Sequence, residues 1–175
     1  VTCQFIDSRT PGFPYYHFTE EGFSCKIVPA FGGSLQELIV EGVTIIEGTS
    51  PDQPGFENYL QKCFSALLFP FPNRIKNGSY TFEKNAYTLP INEPENKNAI
   101  HGLVFDQPFE TVSYGDHTLT MRYHHHGCAG FPFQFVLNIT YTVHVRSVQI
   151  EFHIQNIGTS TFPYGIGWHP YFETV

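Results

Sequence analysis

The chain has 175 residues, enough for one domain with a sizeable buried core. Aromatic residues make up 17% of it against 14% charged, a balance that excludes a disordered chain. The formal net charge of -7 argues against nucleic acid or an anionic membrane as a partner, and no apolar run approaches the roughly 20 residues of a membrane-spanning helix.

In chain order, Leu38 to Val40 and Val43 to Ile46 flank Glu41-Gly42 and predict a first hairpin. Phe56, Tyr59, Leu60, Cys63, Phe64 and Leu67 fall on an i, i+3, i+4, i+7 stripe, which predicts a helix that Pro70 ends. Residues Phe64 to Phe69 read equally well as a buried strand. Tyr80 and Phe82 face Tyr87 and Leu89 across Glu83 to Ala86, and Val112 and Tyr114 face Leu119, Met121 and Tyr123 across Gly115-Asp116. The clearest signal runs through Phe133, Phe135, Leu137, Ile139, Tyr141, Val143 and Val145, which occupy every second position. Val148, Ile150, Phe152 and Ile154 repeat the alternation, so the two runs predict a long hairpin turning at Arg146-Ser147. No linker, repeat or low-complexity tract interrupts the pattern. Residues 1–175 read as a single all-β domain of antiparallel sandwich or barrel type.

Cys3, Cys25, Cys63 and Cys128 are scattered, with no CxxC pair, and read as free thiols in a reducing, cytoplasmic compartment. The sequons at Asn77 and Asn138 carry little weight, because Asn138 falls inside a predicted strand. The chain begins at Val1 and not at Met, which leaves room for a removed upstream segment.

Three segments break the strand pattern. In "LLFPFPNRIKNGSY", Pro70 and Pro72 are expected to hold Asn73 and Arg74 on a stiff, extended backbone. A lone arginine among rings suits a fork onto ligand hydroxyls, and equally a surface ion pair. In "NEPENKNAIHGLVF", Gly102 beside His101 permits close approach of backbone or ligand, though a loop histidine in water has the same sequence. In "FPYGIGWHPYF", rings surround His169, and desolvation there is expected to lower its pKa toward the working range of a general acid or base, unless it is simply packed in an aromatic core. The run His124-His125-His126 places His124 and His126 on one strand face. A zinc site needs a third ligand and a supporting carboxylate, so a solvated strand end is the reading kept and no metal is assigned.

Four stretches in this order, "LLFPFPNRIKNGSYTF", "LPINEPENKNAIHGL", "FPFQFVLNITYTV" and "NIGTSTFPYGIGWHPYF", resemble the aldose 1-epimerase (galactose mutarotase) family. The resemblance runs from about Ala30 to Phe172 and favours the broad bacterial branch through "GIGWHPYF". It implies an antiparallel β-supersandwich and cofactor-independent exchange of the α and β anomers of a free hexose. Arg74 matches the family's substrate-binding arginine. His101 matches the histidine that contacts the sugar around its ring oxygen, and His169 the general acid that protonates that oxygen. Trp168 offers a ring for a sugar face but matches no family role.

Mutarotation opens a hemiacetal: one group protonates the ring oxygen, another takes the proton of the C1 hydroxyl, and the roles reverse on closure. The family's base is a glutamate beyond the HPYF segment, and a sugar-binding aspartate lies there too. Neither has a counterpart here, and Glu173 does not match the base. The chain therefore resembles the N-terminal portion of the family domain, with a fold incomplete at its C-terminus and unpaired strand edges that invite self-association. A non-catalytic carbohydrate-binding module is the alternative, and metal-dependent hydrolysis through His124 and His126 a weaker one. A phosphosugar needs several cations, and the cleft segments supply only Arg74 and Lys76, so an unphosphorylated hexose of the glucose or galactose class is expected.

Overall fold

Alternating apolar positions become strands in the computed structural model, which describes residues 1–8 and 12–174. In chain order these are β1 (Thr2–Ile6), β2 (Tyr15–Glu20), β3 (Phe23–Val28), β4 (Ser34–Val40) and β5 (Val43–Glu47), then helix α1 (Gln53–Lys62). There follow β6 (Ala66–Leu68), β7 (Arg74–Lys76), β8 (Ser79–Phe82), β9 (Asn85–Thr88) and β10 (Asn98–Ile100). The last five are β11 (Glu110–Gly115), β12 (Thr118–His125), β13 (Phe135–His144), β14 (Ser147–Asn156) and β15 (Gly167–His169).

Two antiparallel sheets form the layers, one ordered β1-β2-β3-β4-β5 and the other β11-β12-β13-β14. Their facing side chains make one core: Phe18, Cys25, Ile27 and Leu35 from the first meet Leu119, Met121, Phe135, Leu137, Ile139, Tyr141 and Val143 from the second. Two hydroxyls bond across the layers. Tyr141 donates to the carbonyl of Gly33 at 2.8 Å, and Tyr16 to Oγ1 of Thr111 at 3.0 Å. The architecture is an all-β antiparallel sandwich, one of the two types that the alternation predicts.

The long hairpin forms with Leu137 opposite Ile154, Ile139 opposite Phe152 and Tyr141 opposite Ile150. Its turn lies one residue earlier than predicted. His144 pairs with Ser147, so the loop is Val145-Arg146. This register sets Val143 opposite Val148 on the core face and leaves Val145 40% exposed. In the Glu83 to Ala86 connection the loop narrows to Glu83-Lys84, both at positive φ, because Phe82 pairs with Asn85.

The predicted helix is shorter than its stripe. Asp52 caps it, its carboxylate accepting from the Gly55 N–H at 2.8 Å, and Pro54 follows in the first turn. Cys63 at φ 55° and Ser65 at φ 57° stop it, and the following residues form the fully buried β6, which is the strand alternative for Phe64 to Phe69. Leu60 on the stripe is exposed, whereas Tyr59 is fully buried and donates to the carbonyl of Phe105 at 2.8 Å. All four cysteines are free. Among the described residues no helix is long and apolar enough to cross a membrane.

Candidate active site

Two short ladders outside the main sheets carry the special residues. The β7–β10 pair sets Arg74 opposite Ile100, and the β6–β15 pair sets His169 opposite Ala66. A single parallel bridge between Phe69 and Gly102 ties the β10 end to the β6 end, with the Leu103 N–H donating to the Phe69 carbonyl at 2.8 Å. Segments distant in sequence are thereby brought together.

His101 sits directly after β10 at φ 67°, a left-handed backbone that costs a non-glycine residue on the order of 1 kcal/mol. Its N–H donates to the Asn73 carbonyl at 2.9 Å, which holds the turn in place. Gly102 follows at φ 84°, and a Cβ there would strike the carbonyl of Phe69. Asn73 itself is at φ 60°, so the expected extended backbone before Arg74 is broken at that residue. Asparagine tolerates this region, and the two prolines end upstream of it.

His101 and His169 meet edge to face, ring centroids 5.0 Å apart and planes at 75°. The Nδ1 atoms of both are buried without a hydrogen-bond partner, an uncommon condition for a polar atom. Burial, then the neighbouring His169 and Arg74, push the His101 pKa down to about 4, with Glu93 acting in the opposite direction. His101 is therefore neutral near pH 7 and offers one donor and one acceptor nitrogen.

Arg74 lies beside the histidines but not free. Its Nη2 donates to Oε1 of Glu93 at 2.7 Å, and its Nε reaches both carboxylate oxygens at 3.0 and 2.9 Å. Nη1 donates to Oδ1 of Asn73 at 3.2 Å. Hydrogen bonds from Arg74 and then Asn98 hold the Glu93 carboxyl down at about 2. The ion pair expected as the plain alternative for Arg74 is thus present, and it stands within the cleft. Glu93 was not legible as a site residue. It shares a segment with His101, but only the β7–β10 ladder brings it to Arg74.

Arg74, Glu93, His101, His169, Phe105 and Tyr171 line an open cleft of about 460 Å³, within the range of small-ligand sites. Lys62 and Asp106 stand at its edge. Tyr171 lies 5.3 Å from the His169 ring and donates to the carbonyl of Lys62 at 3.0 Å. Trp168, next along β15, projects to the other side. Its indole N–H bonds to the carbonyl and hydroxyl oxygens of Ser65 at 3.2 and 3.0 Å, and its ring packs on the core. Tyr171 offers the cleft an exposed ring, while Phe105 borders it from the core. His124 and His126 are exposed at the end of β12, in the four-stranded sheet, while His125 is buried. Among the described residues no three His, Cys, Asp or Glu side chains are grouped to hold a metal ion.

The family profile described as Aldose 1-epimerase matches residues 15–175. The chain is 32% identical over 141 residues to the Escherichia coli protein YihR, covering 80% of this chain and 44% of that one. It is 31% identical over 125 residues to the galactose mutarotase of Rattus norvegicus, covering 67% of this chain and 34% of that one. A crystal structure of a galactose mutarotase-like protein from Clostridium acetobutylicum superposes with a TM-score of 0.80 at 23% identity, over 98% of this chain and 54% of that one. The last match shows a shared fold. The chain spans about half the length or less of the curated relatives it matches.

Proposed function

The chain belongs to the aldose 1-epimerase family, and on that premise we propose that its cleft serves the exchange of α and β anomers of a free hexose. Residues 1–175 work as one unit of the family domain in this reading, in the cytoplasm, where four free thiols are at home. The observation that carries it is the edge-to-face pair of His101 and His169 beside the Arg74 fork. His169 is the general acid toward the ring oxygen. His101, neutral near pH 7, hydrogen-bonds the sugar at the same end, and Arg74 binds its hydroxyls. None of these steps calls for a metal or nucleotide cofactor.

The charges in the cleft favour an uncharged sugar. The two cations, Lys62 and Arg74, are matched by two carboxylates, Glu93 and Asp106, so no surplus is left for a phosphate. The same carboxylates support a second reading, a carbohydrate-binding module without catalysis. Glu93 is tied to Arg74 and so is not a free base, while Asp106, at the cleft's edge, accepts from the Gln107 amide at 2.8 Å. A base supplied from outside residues 1–175 is what the isomerase reading requires, worth about 10²–10⁴-fold in rate.

Polarimetry of freshly dissolved α-D-glucose and α-D-galactose, beside a His169→Ala control, tests this. Acceleration over buffer that the control loses supports the isomerase. Sugar binding without acceleration means that residues 1–175 hold the cleft and the acid but not the base, and absence of both refutes the sugar site.

A further inference from the structure

Arg74 faces the cleft with most of its donors already engaged. A guanidinium carries five N–H groups. Glu93 takes the Nε–H and one on Nη2, and Asn73 takes one on Nη1. Two remain, one on each terminal nitrogen. Glu93 is itself held. Its Oε2 accepts from Nδ2 of Asn98 at 2.7 Å, and its main chain pairs with that of Asn98 in both directions. The adjacent Asn92 grips Ile100 through both amide atoms, donating to its carbonyl at 3.0 Å and accepting its N–H at 2.7 Å. The carboxylate therefore belongs to a loop fastened to β10, the strand that leads into His101.

We propose that Glu93 is a positioning and specificity-determining residue: it aims the two remaining Arg74 N–H groups as a fork without net charge, so that the cleft selects neighbouring hydroxyls of a neutral sugar over a sugar bearing an anion. An unpaired guanidinium takes carboxylate or phosphate oxygens in preference to hydroxyls. With a carboxylate already along one edge, a second anion meets a like charge at close range. A hydroxyl pair accepts from the two free N–H groups without that penalty. The inference rests on reading the cleft as a sugar site.

The test is an NMR titration of the full chain with galactose and with galacturonate, which share a ring and differ by a carboxylate. Glu93→Gln keeps the shape and removes the charge. Glu93→Asp keeps the charge and withdraws it by one methylene. Wild type is expected to prefer galactose. In Glu93→Gln the galacturonate-to-galactose affinity ratio should rise about three- to tenfold at low salt and fall back as salt is added. In Glu93→Asp galactose binding should weaken while the ratio stays near that of wild type. An unchanged ratio in folded Glu93→Gln, or undiminished galactose binding in Glu93→Asp, overturns the proposal. Should Glu93→Gln not fold by circular dichroism, the Glu93→Asp result decides alone. Wild type that binds neither sugar removes the sugar site itself, a failure distinct from an unchanged ratio in a protein that binds.

Discussion

His101 and His169 touch edge to face at 5.0 Å although they lie on different ladders, His101 after β10 and His169 at the end of β15. The contact exists because Gly102 bridges to Phe69, whose neighbours in β6 pair with β15. It also makes each ring part of the other's surroundings.

Acid stability should report on that contact. The His101 pKa is lowered from 6.5 to about 4, chiefly by burial. Between those two values the unfolded chain holds a proton on this ring that the folded chain lacks, so stability rises with pH across that window. The contribution is fully present above about pH 6.5 and is lost as pH falls through about 4. We expect His101→Gln to flatten this fall by about 1–2 kcal/mol, a discounted figure because the ring borders an open cleft. The measurement is chemical denaturation at several pH values. His17 and His125 are lowered in the same direction, so the readout is the difference between wild type and variant, and parallel curves would deny the role.

Trp168 should act as the pin that sets His169. Its N–H reaches both oxygens of Ser65, while the Ser65 N–H donates to the carbonyl of His169 at 3.0 Å. Trp168→Phe keeps a ring on the core and deletes the donor, leaving the buried Ser65 with fewer partners. A loss of about 1–2 kcal/mol is expected, read from the denaturation midpoint. A fall in sugar affinity should accompany it if the ladder positions His169, whereas unchanged affinity would separate the pin from the site.

How much of this was written locally in the sequence differs between the frame and the site. The hairpin from Phe135 to Asn156 was legible because alternation over ten residues admits one face for the core, and only its turn slipped by a residue. The helix was legible in kind but not in length, because the apolar stripe from Phe56 continues into β6, where burial on both faces imitates a helical pattern. His101, Arg74 and His169 stood out as unusual residues in non-strand segments. Their mutual geometry did not, since it depends on ladders of three residues too short to leave a periodicity. Glu93 was hidden for the same reason: a carboxylate in a polar loop looks solvated until β7 brings an arginine to it. Trp168 looked like a cleft ring from its neighbours, but one step along a strand turns a side chain to the opposite face.

Gly102→Ala separates strain from collision. Gly102 and Gly42 both have positive φ, 84° and 77°. At Gly42 an added Cβ meets nothing within 4 Å, so the cost is the backbone alone, about 1 kcal/mol. At Gly102 the Cβ also strikes the main chain of Phe69, which lies in the core and cannot move aside. A loss on the order of 2–4 kcal/mol is expected there. Urea midpoints of the two variants check this, and equal shifts would mean the Phe69 bridge yields easily.

The edge strand β14 sets the last expectation. It ends its sheet, pairs only with β13 along ten residues, and among the described residues has no ladder on its outer side. Val148, Ile150, Phe152 and Ile154 are only half-covered along it, and Tyr164, Ile166 and Phe172 are exposed elsewhere on the surface. An open edge bordered by apolar side chains recruits another strand, and a long flat one does so most readily. We therefore propose concentration-dependent self-association, to be followed by sedimentation velocity. Gln149 and Gln155 are exposed on β14, so Gln149→Lys with Gln155→Lys adds two charges without touching the core. The double variant should keep the wild-type circular dichroism and shift the distribution toward monomer. An unchanged distribution would move the association to another surface, and a wild type that stays monomeric at all concentrations would mean the half-covered face is tolerated in water.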